Sequence, residues 1–319
     1  MFAKYNGSMD DIAVIIVNWN AREDLRLCLR SLFASPPTVQ FAVWVVDNAS
    51  TDGSVQMARL EFPDVHIVEN ENNVGFSRAN NQAIAATDSR YVFLLNSDAA
   101  VKPGAVDRLV AFADANPTAG IIGPKVLNTD GSLQFSCRRF PTWKAGLFRN
   151  TWLGRLAPNN KHAAAYLMAD VAHDQVRRAD WLSGCAMMIR RTLIDEIGAL
   201  DDRFYMYCED VDICKRAWNA GKEVVYFPDA VVTHAIGRSS DKNAERMIVE
   251  FHRSWFEFDK KHHPGGGPIR RGAVYSGLWL RGFMRIARRR LFVLRRRAAV
   301  SANPTKKAVL TDAADKGFS

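Results

Sequence analysis

Residues 90–100, RYVFLLNSDAA, decide how this chain reads. Residues 91–95 are a short apolar run rich in β-formers and predict a buried strand. The run stops abruptly at Asn96-Ser97-Asp98. A carboxylate at the C-terminal edge of a buried parallel strand points into the crevice where open α/β sheets bind ligands. Asp98 offers a hard oxygen there, with Asn96 and Ser97 supplying hydrogen-bonding groups beside it. That set suits a divalent cation carrying a diphosphate. The same three residues also describe an ordinary polar turn, and the units on either side have to decide between the two.

Upstream, strand and helix patterns alternate. Residues 12–17, IAVIIV, form a continuous apolar run followed by Asn18-Trp19-Asn20. Residues 23–34 carry Leu25, Cys28, Leu29, Leu32 and Phe33 on one helical face. A second strand at 43–46 closes in Asp47-Asn48-Ala49-Ser50-Thr51-Asp52-Gly53. A helix from about 54 to 60, a strand at 65–69, a turn at Asn72-Asn73-Val74-Gly75 and a helix at 77–86 complete the approach. Such alternation implies a parallel sheet with right-handed crossovers, an α/β fold. Three strand ends in succession then offer polar groups to one edge: Asn18 and Asn20, Asp47 with Asn48, and Asn96 to Asp98. That is what a nucleotide crevice requires. Asp47 can accept from a pyrimidine imide N–H or a ribose hydroxyl. Arg78 is either a fork for the diphosphate or base, or a solvated helix residue. Neither GxGxxG nor GxxxxGK[ST] occurs, so dinucleotide and P-loop readings lack their fingerprint.

In this order VIIVNWN, VVDNASTDGS, NVGFSRANNQAI and FLLNSDAAV resemble the family 2 inverting glycosyltransferases of GT-A fold, and within them the bacterial rhamnosyltransferase-like branch. The resemblance runs from about Ile12 to Ser240. It implies a Rossmann-like, mostly parallel sheet flanked by helices. It also implies that Asn18, Asn20, Asp47, Asn48, Arg78, Asn96 and Ser97 lie against a nucleotide sugar and that Asp98 binds Mg²⁺ or Mn²⁺ as the aspartate of a DxD motif. Asn96 stands where that motif has its first aspartate.

Further along, helix (102–115) and strand (120–126) patterns lead to a turn at Asn128-Thr129-Asp130-Gly131. Residues 140–176 mix aromatic, basic and small residues and suggest a mobile loop, in which Trp143, Phe148 and Trp152 either line an acceptor groove or pack. WLSGCAMMI at 181–189 resembles the family's stretch before the acceptor side, which makes Trp181, Ser183 and Gly184 acceptor contacts; its plain reading is a core strand with a small-residue kink. A helix is expected over 190–197, ended by Gly198. FYMYCEDVDICKRAW at 204–218 starts a helix at Glu209 and Asp210. Two acids there complement the helix dipole, worth ~0.3–1 kcal/mol. An inverting displacement also needs one carboxylate to take the acceptor's proton, and the resemblance gives that role to Asp210, with Glu209 as an acceptor contact. Strands are expected at 223–227 and 230–233 around Pro228. His234 follows them, at a position some family members use as a metal ligand; otherwise it is a satisfied polar side chain. An imidazole beside an aspartate accepts manganese as well as magnesium. Arg238, Ser239 and Ser240 are further diphosphate contacts by this reading.

Composition bounds the rest. The chain has 319 residues, is 48% hydrophobic and carries a net charge of +9. The excess concentrates at 270–297, which is crowded with arginine and has no acid. Five cysteines without a CxxC pair argue for a reducing compartment. The first eleven residues lack a signal-peptide core, and no apolar run reaches the ~20 residues of a spanning helix. The expected organisation is a catalytic domain over 1–240, a helical basic extension over 241–300 and a disordered tail over 301–319. In the extension, large apolar residues interleave with arginine, which suits an anionic membrane surface; docking on the catalytic domain and a nucleic-acid patch are the alternatives. His262-His263-Pro264 and the following glycines read as a linker. The functional expectation is transfer of a sugar, rhamnose from a deoxythymidine diphosphate donor, to a lipid-linked or polysaccharide acceptor. The site would be the cytoplasmic face of the cell membrane, without a nucleic-acid partner; oligomeric state is open. The alternatives are a sugar nucleotidyltransferase, whose Gly- and Lys-rich phosphate loop is missing here, and a basic nucleic-acid-binding protein.

Overall fold

The protein is described from a computed structural model covering residues 10–142, 160–235 and 244–302, with side chains in the last stretch as far as Leu291. Trp143, Phe148, Trp152, Arg238, Ser239, Ser240 and the tail from residue 303 lie outside the described residues. The chain divides into two compact units between Ala235 and Ile236.

The first unit is a mixed sheet with helices on both faces. β1 (Ile12–Asn18), β2 (Phe41–Asp47), β3 (His66–Glu69) and β4 (Tyr91–Asn96) run parallel, in the order β3-β2-β1-β4. Helices α1 (Arg22–Phe33), α2 (Ser54–Glu61) and α3 (Phe76–Ala86) connect them. β1 is an unbroken apolar run because both its faces are covered. Ile12, Val14 and Ile16 join the core with Leu25, Cys28, Leu29 and Leu32 of α1 and Met57 of α2. α3 packs on β1 and β2. Register brings Asn18 opposite Asp47, and Val17 opposite Asn96. The polar strand ends thus fall at one edge.

The second half of this unit changes direction. β4 turns through Ser97 and Asp98 into β5 (Ala99–Val101). Then come α4 (Ala105–Ala115), β6 (Ala119–Leu127), the short strands β7 (Leu133–Gln134) and β8 (Cys137–Arg138), and α5 (Lys161–Tyr166). The chain continues through β9 (Arg177–Arg178), β10 (Trp181–Leu182), β11 (Ala186–Arg190), α6 (Arg191–Ile197), α7 (Glu209–Asn219) and β12 (Glu223–His234). β11 inserts antiparallel between β4 and β6, and the sheet continues β6-β12-β5. Strands were expected on either side of Pro228; the structure joins them as β12. A register shift between Phe227 and Val231 accommodates Pro228, which has no N–H for a regular ladder.

Gly75, before α3, has φ +91°, and a Cβ there would stand 2.6 Å from the Tyr205 carbonyl oxygen. Phe76 N–H donates to that same carbonyl at 2.7 Å. Only glycine allows this approach, and it holds α3 against the segment leading into α7.

The second unit is an antiparallel pair, α8 (Ala244–His262) and α9 (Pro268–Ala302). Arg270 pairs with Asp259 at 2.6 Å and Arg290 with Glu245 at 2.7 Å, one bridge toward each end. Between them Gly282 lets α9 close on the His252 ring; a Cβ would meet its Nδ1 at 3.3 Å. Ile269, Leu280, Phe283 and Leu291 stay exposed. Ile269, Leu280 and Leu291 are spaced by eleven residues, about three helical turns, so they share one side of α9.

Candidate active site

The first part of the site lies where β1, β2 and β4 end. Asn18 is fully buried and donates from Nδ2 to Asp47 Oδ1 at 2.9 Å and to Ser50 Oγ at 3.1 Å. Asp47 Oδ2 accepts from Ser50 N–H at 2.7 Å. Asn20 Oδ1 accepts from Thr51 N–H at 2.7 Å. Asn48 is buried, donating to Gly75 carbonyl at 3.2 Å and accepting from Asn70 at 3.0 Å. These residues brace two loops against each other. Both loops hold a non-glycine residue in the left-handed region, Asn20 at φ 52° and Ala49 at φ 63°, conformations that persist only where surroundings enforce them. Asp47 is the carboxylate of this cluster, and Asn18 acts as its strut. Arg78 sits apart on the exposed side of α3, 3.6 Å from Asp202.

The second part is the turn after β4. Antiparallel register sets Ala99 opposite His234, so Asp98 and His234 meet. Their side chains are largely buried, with Asp98 Oδ1 3.2 Å from His234 Nε2. Asn96 Nδ2 lies 3.3 Å from the same nitrogen, and Ser97 is buried in the turn. His234 Nδ1 lies 2.8 Å from Gln134 Oε1. One carboxylate oxygen and one imidazole nitrogen fit a magnesium or manganese ion: cis positions of an octahedral ion with ~2.1 Å bonds lie about 3.0 Å apart. Among the described residues no cluster of three or more His, Cys, Asp or Glu side chains could hold a metal. A cation here would therefore take its other ligands from water and a bound diphosphate.

The third part is the start of α7. Tyr207 and Cys208 are both left-handed, at φ 70° and 67°, and this strained entry sets Glu209 and Asp210 in the first turn. Asp210 Oδ2 accepts from Gly184 N–H at 3.1 Å, and Oδ1 accepts from Val211 N–H at 2.8 Å. A Cβ on Gly184 would stand 3.4 Å from Asp210 Cβ, so the small residue lets the loop approach this carboxylate. Burial raises the Asp210 pKa above the ordinary carboxylate value; the Gly184 and Val211 N–H groups and the Arg138 charge pull the other way. Glu209 is buried, its Oε2 has no hydrogen-bond partner among the described residues, and burial followed by the Asp210 charge pushes its pKa well up. A carboxyl so enclosed can touch an acceptor only if the surrounding loop moves.

Trp181 is expected from sequence as an acceptor contact. It is buried, its indole N–H donates to Arg139 carbonyl at 3.0 Å, and the Arg138 guanidinium lies over its ring at 4.9 Å. Arg138 covers the ring, so Trp181 packs beneath the Arg138 guanidinium. Ser183 N–H donates to Ser136 carbonyl at 2.8 Å, tying β10 to the chain before β8.

Two adjacent residues join these parts. Cys185 carbonyl accepts from Asn96 N–H at 2.9 Å, while Gly184 N–H reaches Asp210. Sequence reading missed Ser50, Gln134 and Arg138. Ser50 stood inside the DNAST string beside Asp47 and could have been found. Gln134 and Arg138 sit on two-residue strands with no periodicity to mark them.

The chain is similar to known proteins in sequence and in fold. The family described as Glycosyl transferase family 2 matches residues 13–174. An N-acetylglucosaminyl-diphospho-decaprenol L-rhamnosyltransferase of Mycobacterium tuberculosis is 32% identical over 299 residues, spanning 88% of this chain and 96% of that protein. A low-salt glycan biosynthesis hexosyltransferase of Haloferax volcanii is 28% identical, spanning 76% of this chain and 74% of its own length. Among solved structures, a mannosyltransferase from Pyrobaculum calidifontis in complex with GDP-Man and Mn²⁺ aligns with TM-score 0.55 at 18% identity, over 98% of this chain and 82% of that one. S. aureus TarS in complex with UDP-GlcNAc aligns with TM-score 0.51 at 16% identity, over 86% and 73%. At such identities these two speak for the GT-A fold alone.

Proposed function

Because the chain belongs to glycosyl transferase family 2, we propose that it transfers rhamnose, with inversion, from a deoxythymidine diphosphate donor to a hydroxyl of a lipid-linked saccharide. The observation that carries this reading is the Gly184-Cys185 link. It ties the Asn96–Asp98–His234 cluster to the Asp210 carboxylate through two adjacent residues. The first cluster suits a nucleoside diphosphate, and Asp210 suits a hydroxyl that must lose its proton. A divalent cation held by Asp98 and His234 would neutralise the departing diphosphate, so no separate acid is required. Asp47 takes a base or ribose hydrogen, and the Asn18 and Ser50 bonds fix its orientation. The choice of rhamnose and of a polyprenyl-diphosphate acceptor rests on the mycobacterial relative, whose name specifies both.

The test is a panel of nucleotide sugars with Mn²⁺ or Mg²⁺, read by thermal stabilisation and by transfer to a polyprenyl-diphosphate N-acetylglucosamine. Stabilisation follows affinity by mass action. The deoxythymidine diphosphate sugar should stabilise most and yield a product of opposite anomeric configuration. Equal stabilisation by uridine, guanosine and thymidine donors, or a retained configuration, would reject the assignment.

The place of work belongs to the same proposal. Among the described residues no helix is long and apolar enough to cross a membrane. The exposed stripe Ile269, Leu280, Phe283 and Leu291, with arginines on the same helix, fits the boundary of an anionic bilayer. A catalytic domain over 1–240 would then meet its lipid-linked acceptor at the cytoplasmic face, with the extension over 241–300 serving as anchor. Leu280→Ser with Phe283→Ser in the full chain should weaken adsorption to phosphatidylglycerol vesicles by about tenfold or more, since each removed side chain forfeits ~1.5–3 kcal/mol of burial. Transfer to a short-chain soluble acceptor should be unaffected. Unchanged vesicle binding would remove this stripe from the interface.

A further inference from the structure

We infer that Gln134 is a positioning residue for His234: it fixes which imidazole nitrogen faces Asp98, and so sets the affinity of the site for a divalent cation. The inference rests on the metal reading above and adds a residue to it.

The argument follows the direction of successive hydrogen bonds. Asp130 ends the chain of bonds with a carboxylate, which accepts and cannot donate. Ser132 Oγ donates to Asp130 Oδ1 at 2.6 Å. Having spent its hydrogen, that hydroxyl accepts from Asn128 Nδ2 at 2.9 Å. The Asn128 amide is thereby turned with Oδ1 toward Gln134, whose Nε2 donates to it at 2.9 Å. The second Nε2 hydrogen of Gln134 goes to the His234 carbonyl oxygen at 3.3 Å. Both amide hydrogens are used, so Gln134 Oε1 is the atom that faces His234 Nδ1, at 2.8 Å. An amide oxygen only accepts, so the proton must sit on Nδ1. The nitrogen left with a lone pair in the neutral ring is Nε2, the one beside Asp98 Oδ1 and Asn96 Nδ2.

The local fold explains how a residue a hundred positions away reaches His234. Asn128 carbonyl accepts from Gly131 N–H at 2.9 Å, and Asn128 N–H donates to Ser132 carbonyl at 2.8 Å. Gly131 takes φ +82°, so the Asn-Thr-Asp-Gly turn closes without a Cβ penalty. β7 then pairs antiparallel with β6, Gln134 opposite Val126, while Leu127 of β6 lies opposite Thr233 of β12. Gln134 therefore reaches past the end of β6 to the residue after Thr233. A ligating histidine commonly donates its other ring N–H to an oxygen that fixes its tautomer, and loss of that partner typically costs 10–100-fold in metal affinity.

The experiment measures Mn²⁺ affinity by the electron paramagnetic resonance of free Mn²⁺, with thymidine diphosphate present, on the full chain and two variants. Gln134→Leu removes the acceptor; Gln134→Glu keeps an oxygen in its place. Gln134→Leu should weaken Mn²⁺ binding by about 10–100-fold and lose the imidazole ¹⁴N modulation in pulsed spectra. Gln134→Glu should restore both. Wild-type Mn²⁺ affinity in Gln134→Leu, or equal losses in the two variants, overturns the role of Gln134 while leaving the metal reading intact. No Mn²⁺ binding by the wild-type protein overturns both.

Discussion

Asp210→Asn should lower acceptor-dependent turnover by roughly 10²–10⁴-fold, the usual size of general-base loss, and leave donor binding nearly unchanged. The substitution keeps the shape and one oxygen, enough to accept from Gly184 N–H; the Val211 N–H, which the other carboxylate oxygen accepts, loses its partner. What disappears is the proton affinity. Burial raises the Asp210 pKa, so the acid limb of kcat/KM should lie above the ~3.9 of an ordinary aspartate. Activity should fall as pH drops through that value, because only the carboxylate can take the acceptor proton. Arg138→Gln should move this limb further up, since the Arg138 charge favours the carboxylate. Stability runs in the opposite sense. A carboxyl with a raised folded-state pKa supports folding fully below its unfolded pKa, and that support is lost as pH rises through the folded value. Relative to wild type, Asp210→Asn should therefore gain stability as pH rises from acid to neutral, against a constant loss from the Val211 N–H left without its acceptor. Denaturant titrations at several pH values read this directly. Near-normal turnover in Asp210→Asn, or an acid limb unmoved in Arg138→Gln, would remove Asp210 from the role of base.

The polar strand ends of the first unit could be read from sequence, for a physical reason. Buried parallel strands have to be apolar throughout, so the run from Tyr91 to Leu95 ends visibly where the chain meets solvent and ligand. The same contrast marks Asn18 after β1 and Asp47 at the end of β2. Local patterns cannot show which polar groups are spent on each other. Asn18 and Asn48 read as ligand contacts, and in the fold their amides are bonded to Asp47 and to the Gly75 carbonyl; Arg78 reads equally as a contact or a surface residue and pairs with Asp202. The surroundings of Asp210 and His234 depend on partners distant in sequence. Gly184 meets Asp210 across 26 positions, and Gln134 meets His234 across 100. β7, β8 and β10 are two residues long, too short for periodicity to register. Pro228 suggested two strands because proline lacks the N–H of a regular ladder, whereas a register shift lets β12 pass through it.

Asp98→Ala should abolish Mn²⁺-dependent binding of thymidine diphosphate and lower turnover by about 10²–10³-fold, since Lewis-acid stabilisation of a departing diphosphate is worth several kcal/mol. Among the described residues Asp98 is the one carboxylate in its cluster; Asn96 supplies an amide where a second one would strengthen the grip. The site consequently has little reserve, and His234 with Asn96 alone should hold a divalent ion poorly. Asp47→Ala should behave differently. Its oxygens accept from Asn18 and Ser50, and it lies in the strand-end cluster apart from Asp98 and His234, so nucleotide affinity should fall alike with and without Mn²⁺. It should also lower the melting temperature, because the buried Asn18 amide and Ser50 N–H lose their acceptor, at ~1–3 kcal/mol for each unsatisfied group. Calorimetric titration of thymidine diphosphate, with Mn²⁺ and with chelator, separates the two. In Asp98→Ala the Mn²⁺ and chelator curves should coincide; in Asp47→Ala both should weaken and remain apart. A metal-dependent increment that survives in Asp98→Ala would place the cation elsewhere and detach His234 from the donor site.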